Sequence, residues 1–204
     1  MLDWLLELDK KAFLFLNGFN SHMWDNIMYW CSGALSWIPL YIFFLIIIVF
    51  WERPYKFIFT LLFVGIAVLL CDQTSVLIKN LVERPRPTHD PLIADLVHVV
   101  KNYRGGQYGF ISSHAANCFG VASFLTCWFN CRKWGIFLFS WAAIVAYSRI
   151  YLGVHYPLDI ICGALLGILI GRQCHINKLW VTAYFEPKIE KWKATRRQKV
   201  NTKK

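Results

Sequence analysis

Charge is scarce in this sequence, and acidic charge scarcest: 12 Asp and Glu stand against 22 Lys and Arg, and charged residues fill only 17% of the 204 positions. Hydrophobic residues make up 57%, above the roughly 45–50% usual for a soluble domain, and the mean hydropathy is +0.41. A membrane protein is the reading that follows. Paired CxxC knuckles are missing, which excludes a zinc ribbon. The cysteines are odd in number, and Cys71, Cys118, Cys127, Cys131, Cys162 and Cys174 fall in or beside apolar runs, where thiols behave as small buried hydrophobes. No basic helix accompanies the net charge of +10, so nucleic acid is excluded as a partner. The first ten residues carry Asp3, Glu7 and Asp9 where a cleaved signal peptide has positive charge, so the chain is expected to be inserted and retained whole. Internal repeats are also lacking.

What is present is a series of apolar runs of about 17–25 residues, the length that crosses hydrocarbon. They lie near 34–51, 57–78, 111–130, 134–154 and 157–173. The fold class predicted is all-α, a polytopic membrane helix bundle of about five transmembrane helices. Pro39 falls in the first run and is tolerable there if neighbours satisfy the freed carbonyl. Residues 1–17 are shorter and charged, with Leu2, Leu5, Leu6, Phe13 and Leu16 at helical spacing; they are expected to form an interfacial helix, a sixth span being the alternative. This divides the chain into an N-terminal interfacial segment (1–33), a transmembrane domain (34–175) and a basic tail (176–204).

Gly163, Gly167 and Gly171 recur every fourth position in the last span and expose a flat stripe for close helix contact. Residues 88–110 form the one long connection, with Gly105, Gly106 and Gly109 loosening its end, and are expected to act as a lid or specificity loop. From 186 onward the chain is polar and basic, and is expected to be poorly ordered or to lie along lipid headgroups. If the spans alternate, Arg53, Lys56, Arg132, Lys133, Arg172 and the basic tail share one side with only Glu52, Glu186 and Glu190. The other side is near neutral. The positive-inside rule then puts the tail in the cytoplasm and the 79–110 face outside it.

Three polar clusters interrupt the apolar pattern, and all fall on that outer side: Lys79, Arg84 and Arg86 in "KNLVERPRP", Ser112 to His114 in "ISSH", and Arg149, His155 and Asp159 in "SRIYLGVHYPLD". Ionisable groups at membrane depth are expensive, so helices that carry them usually line a site. Taken singly, Lys79 and Arg84 suit headgroup snorkelling and His114 suits a helix cap. Together they describe a receptacle for a dianionic oxyanion with acid–base machinery beside it. Lys79 offers a point charge, Arg86 and Arg149 offer planar forks, and a helix starting at Ser113 offers free N–H groups, a donor set that fits phosphate. Asp159 lies one helical turn after His155 and is placed to hold the imidazole Nδ1–H, leaving Nε2 as a nucleophile. Asp72, seven residues before Lys79, falls on nearly the same helical face and is placed to steer Lys79 or Arg149.

The set Lys79-x6-Arg86-Pro87, Ser112-x-His114 and Ser148-Arg149-x5-His155-x3-Asp159 resembles the signature of the type 2 phosphatidic acid phosphatase family, which shares its site with the vanadium haloperoxidases. The resemblance covers roughly residues 57–173. It implies a phosphatase that needs no metal or other cofactor, in which His155 attacks phosphorus, Asp159 orients His155, and His114 protonates the leaving oxygen and later activates water. Lys79, Arg86, Ser112, the Ser113 amide and Arg149 would hold the phosphate, with Asp72 and Arg84 in support. The middle motif reads Ile111-Ser112-Ser113-His114 where the family usually has Pro-Ser-Gly-His, which predicts backbone strain at Ser113.

The resulting expectation is an integral membrane lipid phosphatase, of the bacterial inner membrane, acting on undecaprenyl diphosphate, phosphatidylglycerophosphate, phosphatidate or lipid A phosphate. Its partners are that substrate and the surrounding lipids, with the oligomeric state left open. A phosphotransferase using the same intermediate and a non-catalytic lipid-phosphate binder or transporter are the alternatives.

Overall fold

The computed structural model describes residues 2–201. Seven α-helices follow one another: α1 (Leu2–Asn17), α2 (His22–Ser32), α3 (Ile38–Trp51), α4 (Pro54–Val82), α5 (Ser113–Phe129), α6 (Arg132–Tyr151) and α7 (Pro157–Asn201), and no strand occurs among the described residues. Local chemistry sets several boundaries. Pro39 and Pro54 sit in the first turns of α3 and α4, where a missing N–H costs nothing, so Pro39 frees no carbonyl inside the helix. Glu83 and Asn130 end α4 and α5 in left-handed conformations, each returning its N–H to the helix it closes.

Four segments are long and apolar enough to cross a membrane: Ala34–Trp51, Pro54–Val82, Arg132–Tyr151 and Pro157–Arg196. The fifth expected span, α5, is 17 residues long and lies inside the bundle against α4, α6 and α7. α1 is not among the helices apolar enough to cross. Of the stripe read in the sequence Phe13 is buried and Leu5 exposed, and Phe13, Asp9 and Asn17 form the buried side of α1 at the end of the bundle that carries His155, hereafter the polar end. Asn17 donates to the carbonyls of Ile150 and Tyr151 at 3.1 and 2.9 Å and accepts the His98 N–H at 2.8 Å, tying α1 to α6 and to the long connection.

The glycine stripe does what its spacing predicts. A Cβ on Gly163, Gly167 or Gly171 would fall 2.6, 2.2 or 2.1 Å from the carbonyl oxygen of Ser112, Ala116 or Gly120. Only glycine lets α7 lie this close to α5, and that approach holds the start of α5 against the start of α7.

The basic tail is helical, not irregular. Through Asn201, α7 continues as helix with Pro187 inside it. Pairing holds its first part: Glu186 accepts from Tyr55 at 2.7 Å and meets Lys56 at 3.0 Å, and Lys178 reaches Glu52 at 2.7 Å. Composition alone reads these residues as solvated because their partners lie on α4 and the turn before it.

Candidate active site

His155 and Asp159 come from the turn between α6 and α7 and from the first turn of α7. Both are fully buried, and His155 Nδ1 lies 3.4 Å from Asp159 Oδ2. Asp159 is held on every side. Its Oδ2 accepts the Tyr156 N–H at 2.9 Å, its Oδ1 accepts from Arg84 at 3.0 Å, and its backbone carbonyl accepts the Ser112 N–H at 3.0 Å. The last bond joins the second motif to the third. Burial, and then the charges of Arg86, Arg149 and Lys79, push the His155 imidazole well below its usual pKa, so it is neutral at physiological pH. Its Nε2 faces Arg86 Nη1 at 3.4 Å.

The cations converge around that nitrogen. Arg86 is buried, with Nε donating to the Tyr108 carbonyl at 3.0 Å and Nη1 to the Val154 carbonyl at 3.3 Å. The connection that folds over it is shaped for this. A Cβ on Gly105, whose φ is +67°, would meet Arg86 Nη1 at 2.8 Å, and one on Gly109 would meet Asp159 Oδ2 at 3.0 Å. These glycines make room for site side chains rather than loosening the loop. Arg149 donates to Ser32 Oγ through Nη1 and to the Tyr103 hydroxyl at 3.2 Å through Nη2, while its buried Nε has no partner among the described residues. Lys79 Nζ reaches Ser113 Oγ, which lies 2.6 Å from Ser75 Oγ.

Ser112 caps α5, its Oγ accepting the Ala115 N–H at 3.4 Å, and the N–H groups of Ser113 and His114 stand in the first turn, where a helix leaves donors free. Ser113 is helical and does not take the left-handed φ that favours glycine, so the expected strain is absent. His114 faces a cavity of about 640 Å³ that runs between α3, α4, α5 and α6 and is lined mainly by apolar side chains.

The structure therefore brings Lys79, Arg86, Ser112, Ser113, His114, Arg149, His155 and Asp159 to one end of the bundle. Among the described residues Asp72 forms no hydrogen bond or ion pair with Lys79 or Arg149, but its charge acts on Lys79; its carboxylate takes the Gln73 amide at 3.4 Å, and its carbonyl accepts the Ser75 hydroxyl at 2.8 Å. Arg84 does not snorkel. It spans Asp159 and Asp9, the latter at 2.7 Å, with its guanidinium 4.0 Å from the Tyr156 ring centroid. Asp9, Ser32, Ser75 and Tyr103 are site neighbours that sequence reasoning missed. For Asp9 a signal existed, since position 9 completes the stripe 2, 5, 6, 13, 16.

The PAP2 superfamily profile matches residues 55–183, the stretch that holds every motif above. The chain belongs to the PAP2 superfamily. It is 38% identical over 172 residues to the lipid A 4'-phosphatase of Bacteroides thetaiotaomicron, covering 82% of this chain and 75% of that protein. It is also 38% identical over 173 residues to the lipid A 4'-phosphatase of Porphyromonas gingivalis, covering 84% and 73%. Among solved structures, Aquifex aeolicus LpxE superposes with a TM-score of 0.64 at 26% identity, covering 82% of this chain and 94% of that one. A transmembrane PAP2-type phosphatidylglycerolphosphate phosphatase from Bacillus subtilis shares the fold, with a TM-score of 0.62 at 21% identity over 91% of this chain and 87% of that one. This PAP2 protein is an integral membrane lipid phosphatase.

Proposed function

We propose that the chain removes the 4'-phosphate of lipid A through a phosphohistidine on His155. The neutral Nε2 lone pair forms the N–P bond as the bond from phosphorus to the lipid oxygen breaks, and His114, protonated once the substrate's phosphate charge sits among the cations, gives its proton to that oxygen. His114, now neutral, takes a proton from water. The resulting hydroxide attacks phosphorus, the N–P bond breaks, and phosphate leaves. Asp159 holds the Nδ1–H side of His155 throughout. Arg86, Arg149, Lys79, Ser112 and the Ser113 N–H hold the phosphoryl oxygens, where charge in this reaction is concentrated.

One observation carries the reading: the charges of Arg86, Arg149 and Lys79 all bear on the neutral, buried His155, a concentration of positive charge that a bound oxyanion would offset. The preference for lipid A rests on the two relatives that are 38% identical over most of the chain. We place the polar end, with α1 on the membrane surface, outside the cytoplasm, because Arg53, Lys56, Arg132, Lys133, Arg172 and the basic end of α7 lie at the opposite end.

The test is mass spectrometry of lipid A incubated with the purified protein in detergent. Loss of one phosphate, from the 4' position, is expected, unaffected by a chelator and blocked by vanadate. His155→Ala is expected to bind lipid A and release no phosphate. Continued turnover by that variant would sink the mechanism.

A further inference from the structure

Lys79 lies in the last turn of α4, and Ser75 lies one turn before it on the same face, so both side chains meet the start of α5. The Ser113 hydroxyl stands between them. Lys79 Nζ donates to Ser113 Oγ, Ser113 Oγ lies 2.6 Å from Ser75 Oγ, and Ser75 Oγ donates to the Asp72 carbonyl at 2.8 Å. The two ends fix the direction of every bond between them. An ammonium only donates and a carbonyl only accepts, so Ser113 accepts from Lys79 and gives its own hydrogen to Ser75. Hydroxyls aligned in this way polarise one another, which makes Ser113 a stronger acceptor for the ammonium than a lone hydroxyl would be. The Ser75 side chain is fully buried, which shields this end of the chain from water.

Lys79 needs such an anchor. The charges of Arg86 and Arg149 bear on it, and they repel an ammonium carried on a flexible four-carbon stem. A glycine at 113, the residue usual in the motif that this stretch resembles, would take the acceptor away. We infer that the Ser113 and Ser75 side chains are positioning residues, which hold Lys79 against the first turn of α5 so that its two remaining N–H groups and the free helix N–H groups serve the same phosphoryl group. The inference rests on the proposed phosphate site. It adds two hydroxyls that act through Lys79 and not on the anion.

The test is orthovanadate affinity, measured by isothermal titration calorimetry on the purified protein in detergent, a readout that needs no turnover. Ser113→Ala keeps the helix and its N–H groups and is expected to weaken binding about 10-fold, whereas Ser113→Thr keeps the hydroxyl and is expected to stay within about threefold of the wild type. Ser75→Ala is expected to weaken binding by about threefold. In a Lys79→Met background, Ser113→Ala is expected to cost less than about twofold, because the group it acts through is gone. An equal loss in both backgrounds, no rescue by threonine, or full affinity in Ser113→Ala overturns the inference. Unchanged affinity in Ser75→Ala also overturns it, and that variant decides the case alone should Lys79→Met not fold. With lipid A still cleaved by the wild type, each of these outcomes leaves the phosphatase standing. A wild type that neither binds vanadate nor cleaves lipid A overturns the inference and the proposed function together.

Discussion

Arg84 lies 3.0 Å from Asp159 and with its other terminal nitrogen 2.7 Å from Asp9, so the carboxylate beside His155 is tied through one guanidinium to the N-terminal helix. Asp9 also accepts the Leu158 N–H at 2.9 Å, which fixes the first turn of α7. Neither Asp9 nor Arg84 hydrogen-bonds His155 Nε2, the proposed nucleophile. In the proposed mechanism both would act by aiming Asp159.

Losing that aim should lower turnover more than binding. Asp9→Asn and Arg84→Ala are expected to reduce kcat by roughly 10–100-fold, the usual effect of removing the outer partner of a functional group, with KM little changed. Arg84→Lys should restore part of the rate, since it keeps one charged donor. Steady-state kinetics on a lipid phosphate decide it. A change confined to KM, or no rescue by lysine, would leave Arg84 a purely structural residue.

Most of the site was legible because its residues sit at fixed spacings within single segments. His155 and Asp159 share a turn, and Lys79 and Arg86 flank one helix end, so the pattern survives without coordinates. Ser32 and Tyr103 were not legible, because each meets Arg149 across a separation in sequence that no spacing rule encodes. Arg84 was read as a supporting residue, but its partners were hidden for the same reason: Asp9 and Asp159 each lie 75 residues away. The helical runs were readable from apolar length, but the extent of α7 was not, since charged residues held by ion pairs look identical in sequence to charged residues in water.

The α5–α7 contact gives a sharp stability prediction. Gly167→Ala places a methyl group 2.2 Å from the Ala116 carbonyl oxygen, with no flexible side chain to yield. The helices must separate, which breaks the 3.0 Å bond from Ser112 N–H to the Asp159 carbonyl. Overpacking of this kind costs about 1–3 kcal/mol or more, so a lower melting temperature and reduced activity are expected together. Gly65→Ala is the control, because a Cβ there meets nothing within 4 Å and alanine is the better helix former. Equal melting temperatures for the two variants would refute the packing account.

Acid should loosen the attachment of α1. Burial raises the Asp90 carboxyl, but the Lys10 ammonium at 2.8 Å, the Leu92 N–H and the Tyr156 hydroxyl outweigh it and hold the group below its ordinary value of 3.8. A depressed carboxylate contributes stability above the unfolded-state pKa and loses it as pH falls through the folded-state value. The wild-type melting temperature is therefore expected to drop below about pH 4. Asp90→Asn should melt lower at pH 7, by about 2–4 °C for each kcal/mol lost, and show a shallower acid limb. Asp25, also depressed, keeps that limb from vanishing. Identical pH profiles for variant and wild type would remove Asp90 from the account.

At the opposite end of the bundle, Glu52 takes Lys178 Nζ at 2.7 Å, Trp128 Nε1 at 2.8 Å and Thr60 Oγ1 at 2.6 Å, with both charged side chains nearly buried. A buried ion pair contributes little over an apolar replacement, because desolvation offsets attraction, but removing one partner strands the other. Lys178→Met is accordingly expected to cost about 3–5 kcal/mol, and adding Glu52→Gln to recover much of it, because the glutamine amide keeps the Trp128 and Thr60 partners without a charge to bury. Thermal melts of the two single variants and the double variant read the coupling directly. Phosphate release by Lys178→Met, assayed well below its melting temperature, should match the wild type, since His155 sits at the other end of the bundle. Additive losses in the double variant would mean that each side chain is held by its own surroundings rather than by the other.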